Sequence, residues 1–578
     1  MGAGSLPERR GDTVTHNPVG EKPATGNAVT ASPASNAGGV GKSVRRIIVY
    51  GVLFVLVCLA AGGIGDLLTR LFDSGRVIIG NDVSGLAQTL AFTLIAGPLA
   101  ALLWWFAWRT NATAQERLAV SWGLYVAALS TVALISATTA LLQTASSLVN
   151  GSWEPAAFSS GVVWLGVWGW HRWMRRHPAK GPATLTGVVP AIGYAYGIVI
   201  GAAGAVSAFS ALLGTAINRS VELVAVGDAW WIAALQGVVW AVGGAAIWWW
   251  HWKHEGAEGL RAGLANVVVV LVAGFGSVIL ALGGIAASVF VLLRLVLGTG
   301  VGGDSVTQVL EPLALALSFA AIGSLIWAYY RRPARSNSVA VASATRLVTS
   351  GITLAATATG VGIIVNSILS AVGTPLVETG PRTLLLSGIS ALVVGGVAWW
   401  LVWKPTAAPS TAREAKAGRR IYLIAVFGLS AIVAIVTVLV IGFNIFNFVL
   451  DSAIGGSLLD RIRSELGLLA ATGLVAGYHF TLWNRDRALK DTEAPTKHTI
   501  AQVILVAGSG AHSIAGLIAD ATGAKVTVLL RADNAGDETS DASLTAAQVD
   551  AAFEGVTAVR AMVIIGRVGT IEVIPLLP

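Results

Sequence analysis

The stretch "GSGAHS" (508–513) follows the apolar run "AQVILVAG" and opens the segment "AHSIAGLIADATG". Glycines after a strand let the backbone approach a phosphate, and the N-terminus of the next helix attracts it. An acid ending the following strand, here Asp533 after "KVTVLLRA", would hold a ribose hydroxyl. Gly508, Gly510 and Asp533 are therefore the candidate cofactor-binding residues, for a nucleotide-like ligand whose identity is unknown. Against this, Ser513 stands where the fingerprint has its third glycine, and the domain is about half of a full Rossmann unit. The competing reading is a tight strand-to-helix turn with Ser509 or Ser513 near the cap.

Three histidines raise a second chemistry. His171 and His251 occupy matching places in successive repeats, and His479 lies near the end of the last one. Histidines on facing helices can ligate haem or zinc. Beside Trp and Arg at a helix end, however, a half-buried histidine is the ordinary outcome. No metal ligand set and no catalytic residue is assigned: the chain has no His-Glu-x-x-His, Cys-x-x-Cys or Gly-x-Ser-x-Gly arrangement. Its single cysteine, Cys58, sits in an apolar run and reads as a packing residue. The acidic loop "RADNAGDETSDAS" (531–543) lacks the spacing of a calcium loop. Six amides lie within apolar stretches: Gln88, Gln236, Asn266, Asn366, Asn444 and Asn447. They either bond neighbouring helices or line a solute path.

The elements that must position these groups are set by composition. The 578 residues are 55% apolar and only 12% charged, about half the charged share of a soluble domain. Such a chain cannot cover a water-facing surface with polar groups, so part of its solvent is lipid. Twelve apolar stretches are each long enough to cross a hydrocarbon core of ~30 Å as a helix. They run at 47–69, 86–108, 118–146, 157–176, 187–216, 230–252, 262–297, 308–330, 346–371, 383–403, 420–449 and 465–483.

The stretches pair. The first of a pair typically opens on a basic residue, as in "VRRIIVYG", "ERLAVSWG" and "GRRIYLIA". The second typically closes on aromatic residues and positive charge, as in "LWWFAWRT", "WGWHRWMRR" and "AWWLVWKP". Six tandem hairpins follow, a supersecondary unit copied in series. Cleavage of the first run as a signal peptide would orphan its partner and is not expected. Lys and Arg number 24 on the side of the pair-to-pair connections and seven on the other, which places both termini in the cytoplasm. The net charge of +8 thereby follows from topology, and no nucleic-acid partner is expected. In "IWWWHWKHEG" (247–256) the indoles are expected to anchor a helix end at the headgroups.

A basic pair before a long apolar helix, as in "RRIYLIAVFGLSAIVAIVTVLVIGFNIFNFVLD", followed by a helix ending in "TLWNRDR" or "WWFAWR", resembles an uncharacterised family of multi-pass bacterial membrane proteins. That family is a domain of unknown function built from two-helix units. The resemblance covers roughly residues 44–490 and implies fold and location but no activity. The third and sixth units depart most from the pattern.

The expected fold is an all-α polytopic membrane protein of about twelve transmembrane helices, six tandem helical hairpins, with a small C-terminal cytoplasmic α/β domain. The expected domains are a disordered tail at 1–43, a transmembrane domain at 44–490 and the α/β domain at 498–578. The favoured function is a non-enzymatic membrane scaffold or sensor. The alternatives are a channel or transporter for a small neutral or apolar solute, and a nucleotide-binding sensor or enzyme. Expected partners are the lipid bilayer of the cell's inner or plasma membrane, a protein or small ligand at the α/β domain, and a homo-oligomer.

Overall fold

In a computed structural model of the chain, the described residues are 35–73, 83–111, 113–220, 229–261, 263–297, 305–372, 381–407, 413–450, 457–492, 500–508, 511–531, 544–566 and 570–577. Twelve long helices run in sequence order. They are α1 Ser35–Phe72, α2 Val83–Thr110, α3 Val120–Val149, α4 Pro155–Arg176, α5 Val188–Ser220 and α6 Trp230–His254. After these come α7 Leu264–Leu297, α8 Val306–Ser336, α9 Val339–Val372, α10 Pro381–Ala407, α11 Arg413–Leu450 and α12 Leu458–Thr492. The first helix begins at Ser35, within the stretch whose composition reads as a tail; residues 1–34 lie outside the described ones.

Eleven of the twelve are long and apolar enough to cross a membrane. The other is α4, whose 22 residues are long enough but include Trp164, Trp168, Trp170, Trp173, His171 and three arginines. The surface is apolar where a soluble protein's would be polar. On α11, Ile432, Ile435, Leu439, Phe443 and Phe446 are each at least 60% exposed, while Ser430 and Thr437 are buried. The buried hydroxyls bond their own helix, as Ser430 to the Val426 carbonyl (2.7 Å) and Thr437 to the Val433 carbonyl (2.7 Å). This suits lipid, where every polar group must find a partner inside the protein.

Successive helices pair through small residues. On α5, a Cβ at Gly197 or Gly204 would meet the α6 backbone, and one on Gly244 of α6 would collide with Gly201. Gly284 of α7 lies against Ala320 of α8, and Gly360 of α9 against Leu392 of α10. Without a hydrophobic drive between helices in lipid, this close approach is what packs them.

A longer period sits above the hairpins. The first helix of each group of four also packs on the fourth. Gly65 of α1 meets Ser160 of α4, Gly214 of α5 meets Ala314 of α8, and Gly362 of α9 meets Gly467 of α12. The chain divides into two compact units, Met1–Thr345 and Arg346–Pro578; the first holds two of these groups.

The C-terminal domain is a four-stranded sheet: β1 Gln502–Ala507, β2 Lys525–Leu530, β3 Arg560–Ile565 and β4 Ile571–Leu576. The order is β2-β1-β3-β4, parallel except for the β3–β4 hairpin. Two helices, α13 Ala511–Thr522 and α14 Ala546–Ala552, pack against each other and into one core. That core takes Val503, Leu505, Ile514, Ile518, Val549, Phe553 and Val563.

Candidate functional site

The helix ends at which hairpins connect hold the chain's concentrated polar chemistry. α6 closes on a wide turn in which the Glu255 N–H bonds the Trp250 carbonyl five residues back (2.8 Å). Gly256 then adopts a left-handed φ of +74°, as helix-ending glycines do. This turns Glu255 inward: its side chain is 3% exposed.

One oxygen of Glu255 gathers three guanidinium groups from the last turn of α4. Arg172 bonds Oε1 at 2.8 Å, Arg175 pairs with the same oxygen, and Arg176 reaches it at 3.4 Å. The spacing 172, 175, 176 is i, i+3, i+4, which puts all three on one helix face. Arg172 also lies over the Trp250 ring at 4.6 Å, a cation–π contact. The result is an electrostatic clamp between the ends of α4 and α6.

His251 completes the cluster. Its Nδ1 is 2.9 Å from the Ile247 carbonyl, which only accepts, so Nδ1 carries the proton. In the neutral ring its Nε2 is then an acceptor, and it faces Glu255 Oε2 across 3.8 Å. Two acceptors cannot satisfy each other, and both are buried without a hydrogen-bond partner, as are Arg175 Nε and Trp250 Nε1. Gly193 of α5 presses on this ring; a Cβ there would strike it.

The other two candidate histidines sit among aromatic rings. His171 accepts from or donates to Tyr125 through Nε2 (3.2 Å), and His479 lies among Trp403, Tyr422 and Tyr478. Each Nδ1 bonds the carbonyl four residues back, at Val167 and Val475 for these two. Among the described residues no three His, Cys, Asp or Glu side chains converge as a metal set would.

The Trp cluster has more than one role. Trp249 faces outward and is 54% exposed, as an anchor should be. Trp252 is buried, and its indole donates to Tyr329 of α8 (3.0 Å). Trp248 donates to Tyr330 (2.7 Å). The cluster thus divides: Trp249 is exposed, Trp248 and Trp252 bond α8, and Trp250 stacks under Arg172 of α4. The same link recurs from the second helix of a group to the fourth: Trp104 to Met174 (3.4 Å) and Trp403 to Tyr478 (2.8 Å).

The basic openers also bond. Arg46 pairs with Glu116, Arg117 donates to the Gly181 carbonyl (3.1 Å), and Arg419 grips Asp486 through two nitrogens (3.0 and 3.1 Å). Sequence reasoning read these charges as topology signals and passed over Glu255. Its signal was available: a carboxylate four residues after His251, and an i, i+3, i+4 arginine triad one hairpin earlier.

Among the amides, Gln236 of α6 donates to the Ser146 carbonyl of α3 (3.2 Å), and Asn337 donates to Asn266 (3.1 Å). Asn444 donates to the Arg461 carbonyl (3.3 Å), and Asn366 Oδ1 is buried without a partner. Gln236 and Ser146 also line an open cleft of about 420 Å³ with Ser207, Gly204 and Trp240.

In the α/β domain, Gly508 ends β1 buried, and its carbonyl accepts from Ala511, the first residue of α13 (3.2 Å). Gly510 and Asp533 lie outside the described residues. The strand order reverses at β1, so the end of that strand, at Gly508, stands at the topological switch point of the parallel strands.

Two segments of the chain, residues 46–168 and 343–474, match a family model described as Domain of unknown function (DUF5671). No curated protein and no solved structure matches the chain. The first segment runs from α1 into α4 and the second from α9 into α12, so each match covers a group of four helices rather than one hairpin. The chain is a multi-pass helical membrane protein, two segments of which are similar to this uncharacterised domain.

Proposed function

We propose that the protein is a non-enzymatic scaffold or sensor of the bacterial inner membrane, with both termini in the cytoplasm and the α/β domain as its interaction module. The observation that carries this reading is the use of the buried charges. The Arg172–Arg175–Arg176–Glu255 cluster holds two helix ends together, and its one carboxylate is taken up by these three arginines. The positive excess on the connection side supports the orientation. Deleting residues 498–578 tests the function: the remaining helices should still insert, and cytoplasmic partners crosslinked to the full chain should be lost. Retention of every partner by the truncated chain would refute it.

Two other readings each have one observation in their favour. The cleft at Gln236 and Ser146, with its mixed lining, suits a small neutral or apolar solute. Flux of such solutes into reconstituted vesicles, abolished by Gln236→Leu, would favour it. The switch point beside Gly508 suits a nucleotide, with Gly510 and Asp533 completing the site. Calorimetric titration of the full chain with nucleotides, heat appearing and then vanishing in Asp533→Ala, would favour that one.

A further inference from the structure

The sheet of the α/β domain has two apolar faces, but among the described residues helices cover only one. Side chains alternate along a strand. Val503, Leu505, Val563 and Ile565 point into the core shared with α13 and α14. The alternate residues Ile504, Val506, Leu529, Met562, Ile564 and Ile574 therefore share the other face. The register aligns them in two rows, Ile504 with Met562, Ile574 and the exposed Thr527 at the edge, and Leu529 with Val506 and Ile564. Leu529 is 51% exposed, and the rest are half-buried.

Charge marks the two ends of this face. Lys525 and Arg560 lie where the parallel strands begin, and Glu572 lies opposite Ile564, near where they finish. All three are exposed. A twofold axis between two such faces, perpendicular to the strands, exchanges their ends. It leaves the apolar middle row over itself and brings Arg560 of one copy beside Glu572 of the other. A face that is apolar at its centre and opposite in charge at its ends is complementary to its own copy, as an isologous interface requires.

We propose that two copies of this chain pair through the helix-free faces of their C-terminal sheets, packed about 10 Å apart as in a sheet sandwich. The proposal rests on reading the α/β domain as an interaction module and names the partner as a second copy.

The test uses the full chain in its membrane, with Cys58→Ala as background. Ile504→Cys, in the row nearest the axis, should be joined into a dimer by a short bismaleimide. Ser513→Cys, on the exposed side of α13, should not. Arg560→Glu and Glu572→Arg should each lower crosslinking at position 504 several-fold, and the two together should restore it. Restoration by the double exchange cannot come from misfolding. Absence of a dimer at position 504, or charge exchanges without effect or without rescue, would overturn the proposal. If instead a different protein is crosslinked at position 504 and released by deleting 498–578, this pairing is wrong while the interaction-module reading stands.

Discussion

The end of α6 and the end of α12 solve the same problem at different depths. In each, a carboxylate near a helix end binds arginine across a helix pair. Glu255 is 3% exposed and is shared by three guanidinium groups, whereas Asp486 is 31% exposed and takes one arginine through two parallel bonds. The difference teaches that depth decides what such a pair is for. A carboxylate that water reaches can be lost cheaply. One enclosed by three cations cannot, because its removal leaves buried like charges facing one another.

Glu255→Gln should therefore be the most damaging change at either junction. A loss of about 3–5 kcal/mol is expected, the range for breaking a buried pair on one side, read as a large drop in thermal midpoint in detergent. Gly244→Val should come next, at about 1–3 kcal/mol for overpacking, since its side chain would enter the α5 backbone at Gly201. The same assay on Asp486→Asn should show about 1–2 kcal/mol, a charge-assisted bidentate bond lost in a partly wet site. Glu258→Ala removes the pair with Lys253, both side chains 46% exposed, and should leave the midpoint unchanged. If Asp486→Asn proved as harmful as Glu255→Gln, the comparison of depths would be wrong.

Much of the bundle was legible because lipid makes few demands and makes them strictly. Long apolar runs locate all twelve helices, and their basic starts and aromatic ends mark the sequential pairing. Hydropathy could not tell which indoles turn inward. Trp249 and Trp252 lie in one run, and only the position of α8, with Tyr329 and Tyr330, separates them. The four-helix period was hidden for a related reason. Each hairpin repeats the same end chemistry, while the contacts that distinguish odd from even hairpins are single small residues such as Gly65, Gly214 and Gly362. In the α/β domain, apolar runs such as "AQVILVAG" mark the strands. They could not say that both helices cover one face, because Ile504 and Leu505 are equally apolar.

In the proposed orientation the helices cross a bilayer with their connections on one side and their turns on the other. Labelling of intact cells with a membrane-impermeant maleimide tests this most directly, using single cysteines in the Cys58→Ala background. Ser152→Cys, in the turn between α3 and α4, should react from outside, and Ser336→Cys, at the end of α8, should react only after the membrane is opened. Equal reaction of both in intact cells would contradict the architecture.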